Sequence, residues 1–225
     1  MQFNFIENNR PYSIDIVQNK LLQFSSIEVD RLWDLSKQKN KYLFNDNIFY
    51  VDSIKENKIY GYFAEYKYWH VQETYKSETI NLPKFRVAGV TGVIRMSNAV
   101  LACKRSNNVT QDKNIYELGP SGGLSNNKNK NVTFINQFID EFEEELNVSA
   151  NNIESINQLG LLIDNKESVI DVVLEVFVKN DFKNTIKPTN EYQKFKWLSL
   201  NKETQNILSP SSEEIMKHLI LKGLK

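Results

Sequence analysis

Apolar positions along the chain fall into three kinds of pattern. Ile135, Phe138, Ile139, Phe142 and Leu146 recur at helical spacing and predict one amphipathic helix ending near Val148. Val169–Val178 is almost continuously apolar, as expected of a strand buried on both faces, with Asp171 and Glu175 as interruptions. An acid inside such a strand is costly unless it is paired or placed at a metal. Ile153–Ile163 predicts a partner strand, joined to it by the polar turn Asp164–Glu167. Towards the N-terminus the composition turns aromatic. Phe49–Val51 and Ile59–Phe63 predict two strands around the turn Lys55–Lys58, and a third extended stretch is expected through Tyr66, Tyr68, His70 and Gln72. Ser25-Ser26-Ile27-Glu28 has capping-box spacing and opens a predicted helix through Val29, Leu32, Trp33 and Leu35. Ser211-Ser212-Glu213-Glu214 does the same for a terminal helix with Ile215, Leu219 and Ile220 inward.

Composition narrows the class. A chain of 225 residues with 40% hydrophobic content can bury one sizeable core, or one core and a small appendage. Its 28 basic and 28 acidic residues cancel, so no broad field draws it to nucleic acid or to a membrane, and neither is an expected partner. The single cysteine, Cys103, excludes an intramolecular disulfide and is read as strand core. No signal pattern opens the sequence and no apolar run has membrane-spanning length, so the expected location is cytoplasmic. Asn126–Asn131 reads as a polar mobile loop between periodic segments. His70 and His218 have no partners at metal-ligand spacing, and neither is assigned a site. The aromatic N-terminal strands could stack a nucleobase, or pack against the rest of the chain or a second subunit; packing is the simpler expectation.

Candidate chemistry gathers on the helix between Val132 and Val148. At about 100° per residue, Glu145 lies roughly 40° and Glu144 roughly 60° from Glu141, so three acids share one side. Like charges at these spacings cost helix stability, and a hard divalent cation such as magnesium or manganese would reverse that cost. A plain solvated acidic face is the alternative. Ahead of the helix, Tyr116-Glu117-Leu118 reads as a strand end, followed by the glycine turn Gly122-Gly123.

These residues resemble the Nudix hydrolase family. Asp140-Glu141-Phe142-Glu143-Glu144-Glu145-Leu146-Asn147-Val148 stands where that family carries R-E-U-x-E-E-x-G-U, and Gly122-Gly123 stands at its glycine pair. Val87–Ile94 and Ala99–Ser106 look like its leading hairpin, and Glu191–Trp197 like a late strand ending in a core tryptophan. The Arg-Ser ending followed by Tyr-Glu-Leu-x-Pro-Ser-Gly-Gly is most similar to the branch acting on nucleoside diphosphate derivatives. The resemblance covers roughly residues 86 to 200. It implies an α/β fold, an α/β/α sandwich with a mixed sheet over residues 86–225. Residues 1–85 would then be an N-terminal α+β, aromatic-rich extension.

The activity so implied is Mg²⁺- or Mn²⁺-dependent hydrolysis of a phosphoanhydride in a nucleoside diphosphate linked to another group. Glu141, Glu144 and Glu145 would hold metal and carry catalysis. Gly122, Gly123 and Arg105 would meet the small-molecule substrate, with Arg95 and Lys104 as further phosphate candidates. Glu175 and Glu191 are candidates for an additional ligand or base, and a homodimer is a candidate assembly. Three departures stand beside the match. Val132 and Asp140 replace the supporting glutamate and arginine, the loop from Gly123 to Val132 is longer, and Asn147 replaces a glycine. They leave open a nucleotide-sensing module that does not cleave its ligand, and an interaction or scaffold protein dimerising through the aromatic region.

Overall fold

The sheet grows outward from two parallel strands. β5 (Val87–Met96) and β10 (Val169–Val178) pair in register, Val87 with Val169 through Arg95 with Phe177. Both strands are buried over nearly their whole length, which requires a layer on each face. The computed structural model describes residues 2–7, 9–18, 27–77, 84–109, 112–126, 131–200 and 207–223. Ser25 and Ser26 of the expected capping box, and residues 127–130 of the expected polar loop, lie outside them.

The remaining described strands in chain order are β1 (Phe3–Glu7), β2 (Ser13–Ile16), β3 (Asn47–Lys55), β4 (Lys58–Glu65), β6 (Ala99–Arg105), β7 (Tyr116–Leu118), β8 (Ser121–Gly123), β9 (Ile153–Asp164) and β11 (Tyr192–Ser199). The four described α-helices are α1 (Ile27–Lys39), α2 (Lys67–Thr74), α3 (Phe134–Leu146) and α4 (Pro210–Leu221). One mixed sheet runs β1-β9-β10-β5-β3-β4-β2. It curls at β5, which also pairs β8 and β6, and β6 carries β7 and β11. Strands from the first 65 residues therefore extend the same sheet as the rest: β1 adds to β9, and β3 touches β5 at Tyr50–Val87.

Strand alternation sorts the side chains into layers. Ile170, Val172, Leu174 and Val176 of β10 join Phe134, Phe138, Phe142 and Leu146 of α3 in one cluster. Val173 of β10 and Val93 of β5 face the other way, with Ile215, Met216 and Leu219 of α4. A third cluster sets Val29, Leu32 and Trp33 of α1 and Tyr68 and Val71 of α2 against Tyr50 and Tyr62. The outcome is an α/β/α sandwich with a mixed sheet, as expected, and Phe49, Tyr50, Tyr62 and Tyr68 of the N-terminal aromatics are spent on packing, while Tyr42 and Phe44 are exposed. Among the described residues no helix is long and apolar enough to cross a membrane.

Three elements depart from the sequence reading. Tyr66–Gln72 is not extended: α2 forms there, burying Tyr68, Val71 and Gln72 at helical spacing. Its first-turn amides are satisfied from afar, Lys67 N–H by the Asn45 side chain at 2.9 Å and Trp69 N–H by the Tyr50 hydroxyl at 3.0 Å. In α3 the apolar stripe begins at Phe134, while Ile135 is 38% exposed. α4 starts earlier than its expected box, with Ser209 as N-cap accepting from Ser212 N–H and Pro210 in the first turn.

Candidate functional site

α3 is fixed at both ends. Thr133 is its N-cap, accepting from Asn136 N–H at 3.1 Å, and Asn147 closes it in the left-handed conformation at φ 53°, ψ 45°. With Phe134, Phe138, Phe142 and Leu146 buried, the adjacent row at four-residue spacing, Gln137, Glu141 and Glu145, is turned onto β8. Gln137 clamps with both ends of its amide: Oε1 accepts from Ser125 N–H at 3.0 Å, and Nε2 donates to Glu141 Oε1 at 2.7 Å. Gly122 lies so close to Glu141 that a Cβ there would collide with its carboxylate and push it aside. Glu145 Oε2 accepts from Ser121 N–H at 3.3 Å and lies 3.1 Å from the Tyr192 hydroxyl. Glu144 is exposed.

Behind Glu145 stands a second layer of charge. The Tyr192 hydroxyl is 2.9 Å from Glu117 Oε1, which also accepts from Arg105 Nη1 at 2.8 Å. The other end of that guanidinium pairs with Glu191 at 3.0 Å. Burial, reinforced by Glu141, Glu191 and Glu117, pushes the Glu145 carboxyl well above its ordinary range, although the Tyr192 hydrogen bond pulls the other way. Burial also raises Glu117 against the pull of Arg105 and Tyr192. For Arg105, burial works against the cation, but Glu117 and Glu191 outweigh it and keep it charged.

Beside these groups is a cavity of about 180 Å³ lined by Thr91, Arg105, Asp112, Glu117, Leu118, Ser121, Asp171, Ser211 and Ser212. Arg105 is the only cation among those lining residues. Asp171 accepts from the Thr91 hydroxyl at 3.2 Å, and burial pushes its carboxyl up to about 6.

The expected site residues are brought together unevenly. Glu141, Glu145, Gly122, Gly123 and Arg105 share one region. Among the described residues no group of three or more His, Cys, Asp or Glu side chains that could hold a metal ion is found. Gln137, Ser121 and Tyr192 draw two of the acids onto the sheet, while Glu144 is exposed. Glu175 lies on the opposite face of the sheet from α3, buried in an ion pair with Arg95, so Arg95 is no phosphate contact. Lys104 sits over the Tyr116 ring at 5.9 Å. Cys103 is fully buried in β6, and burial raises its thiol.

The donor set nonetheless fits a hard divalent cation in kind. Adjacent part-buried carboxylates repel one another, and a glycine main chain is pressed against one of them, leaving oxygen donors only. Gln137, Glu117 and Tyr192 were missed by sequence reasoning. Gln137 could have been found, since it is one turn before Glu141 on the same row; Glu117 and Tyr192 meet only through the curl of the sheet.

No family model and no curated protein sequence matches the chain. Solved structures do. Tm1382, a proposed Nudix hydrolase, superposes with a TM-score of 0.53 at 18% identity, over 72% of this chain and 80% of its own. The NUDIX domain of Shewanella oneidensis NrtR, solved with ADP ribose, gives 0.47 at 15% identity over 65% and 97%. The bifunctional NMN adenylyltransferase/ADP ribose pyrophosphatase of Francisella tularensis, solved with AMP and a Mn ion, gives 0.47 at 18% identity over 66% of this chain and 45% of that one. The first of these shows that the chain has the Nudix fold.

Proposed function

We propose that the chain is a metal-dependent pyrophosphohydrolase acting on a nucleoside diphosphate linked to another group. The observation that carries this reading is the row Gln137–Glu141–Glu145 laid against Gly122, with Glu117, Arg105 and Ser121, which adjoin Glu145 or its Tyr192 partner, lining a polar cavity. A hard scaffold for charge lies next to a space large enough for a small polar group.

Glu141 and Glu145 would hold Mg²⁺ or Mn²⁺, with Glu144, one turn beyond Glu141, completing the set from its exposed position. Such an ion supplies neutralisation of the diphosphate charge and a more acidic water. The chain's own residues do the rest. Gly122 keeps the main chain close to Glu141, with Gly123 following it in β8, Arg105 presents positive charge to the cavity, and Ser121 fixes the Glu145 carboxylate through its N–H. An acid of this cluster, or Glu191 at its edge, would take the proton of the attacking water.

The test is product release across nucleoside diphosphate sugars, dinucleotides and triphosphates, with Mg²⁺ or Mn²⁺, with chelator, and with a Glu144→Gln/Glu145→Gln variant. Metal-dependent turnover lost in the variant supports the reading. Turnover equal in variant and wild type refutes it. A second reading, a nucleotide-binding module without turnover, is favoured by the engagement of Glu145 with Tyr192 and Ser121. This second reading predicts a thermal shift with one ligand, unaffected by chelator, and no product.

A further inference from the structure

We infer that Tyr192 is a positioning residue for Glu145, holding the carboxylate in place for a cation through an Arg105–Glu117–Tyr192 chain. The inference rests on the reading of Glu145 as a cation ligand. Tyr192 opens β11, is fully buried, and brings its hydroxyl within hydrogen-bond distance of both Glu117 Oε1 and Glu145 Oε2. A phenol has one proton to donate. Glu117 already receives Arg105 Nη1, and Arg105 is itself braced by Glu191. That one proton is therefore shared between Glu117 Oε1 and Glu145 Oε2, so the phenol ties Glu145, whose other donor is Ser121 N–H, to the braced Arg105–Glu117 pair.

A second contact points the same way. The Thr189 hydroxyl donates to the Glu145 main-chain carbonyl at 2.8 Å and accepts from Tyr192 N–H at 3.0 Å. The start of β11 thus grips Glu145 by main chain and by carboxylate together. Room for the phenol is made at Gly119, where a Cβ would stand 2.7 Å from the Tyr192 hydroxyl. A packing tyrosine would need neither the hydroxyl nor the glycine; phenylalanine would fill the same space. Meanwhile Val132 only packs at the edge of the core, so the acids are braced from β8 and β11 and from Gln137 within α3.

Groups that orient a metal's ligands typically change metal affinity about 10–100-fold when removed. The experiment is Mn²⁺ titration of the substrate-free protein, followed by electron paramagnetic resonance, for wild type, Tyr192→Phe, Thr189→Val and Glu145→Gln, with thermal melts alongside. The expected result is Mn²⁺ affinity at least about tenfold weaker in Tyr192→Phe, with a folded melt, and a smaller loss in Thr189→Val. Should Tyr192→Phe not fold, the Thr189→Val affinity decides. Wild-type affinity in both variants, while Glu145→Gln weakens binding, would overturn this inference alone. Wild type that binds no Mn²⁺, or binds it independently of Glu145, would overturn the cation-ligand reading and this inference with it.

Discussion

Removing the Arg95 guanidinium tests how the middle of the sheet is held. Arg95 and Glu175 are 4% and 8% exposed, their side chains are hydrogen-bonded to one another, and the guanidinium lies over the Phe177 ring at 5.2 Å. Arg95 Nε has no hydrogen-bond partner among the described residues, so the pair is not fully satisfied by them even when intact. Breaking a buried pair by deleting one partner costs about 3–5 kcal/mol, because the remaining charge is stranded without water. Arg95→Met should lose about that much, and Glu175→Leu about as much. Replacing both ions by apolar groups removes the stranded charge, and the double variant Arg95→Met/Glu175→Leu should return to within about 1–2 kcal/mol of wild type or exceed it. Urea unfolding with an unchanged m-value measures each corner of the cycle. Singles that each cost under about 1 kcal/mol, or a double equal to their sum, would refute the argument. Because Glu175 lies across the sheet from α3, a folded double variant should also keep whatever metal-dependent turnover the wild type has.

Other sites give expected outcomes of their own. At Gly122 a Cβ meets only the flexible end of Glu141, so Gly122→Ala should shift stability by less than about 1 kcal/mol yet lower turnover or Mn²⁺ affinity as the carboxylate is pushed aside. At Gly92 a Cβ meets the buried Phe138 ring, so Gly92→Ala should cost about 1–3 kcal/mol in a urea melt. Asp171 has its carboxyl raised by burial to about 6 from an ordinary 3.8. The fold favours its protonated form, so its contribution to stability is greatest at low pH and is lost as pH rises through that window. Asp171→Asn should therefore raise the melting temperature at pH 7.5 much more than at pH 4.5; equal gains at both would contradict the assignment. Asn147 holds the left-handed C-cap of α3, so Asn147→Gly should be neutral or stabilising and Asn147→Val destabilising by about 1–2 kcal/mol in thermal melts.

What the sequence made visible was whatever repeats locally. The continuous apolar run of β10, the turn at Asp164–Glu167 and the helical period of α3 each declare themselves within a dozen residues, and each is found in place. α2 did not, because Tyr66-Lys67-Tyr68-Trp69-His70-Val71-Gln72 satisfies a two-residue and a helical period at once. The choice is made by Asn45 and the Tyr50 hydroxyl, which cap the helix from other elements. The candidate site divides along the same line. Glu141 and Glu145 were legible because four-residue spacing places them on one row, and Gln137 belongs to that row by the same arithmetic. Their burial was not legible, because it depends on β8 folding against α3 through pairings with β5 that carry no local signal. Tyr192 stands 47 residues from Glu145 along the chain and reads in sequence as one aromatic in a strand. Only when β11 pairs with β6, and β6 with β7, do Tyr192 and Glu117 arrive behind Glu145. A motif can name the acids that face a substrate. The groups holding those acids are chosen by the topology around them, so this chain can lack the arginine and glutamate expected at 140 and 132 and still brace its carboxylates from other strands.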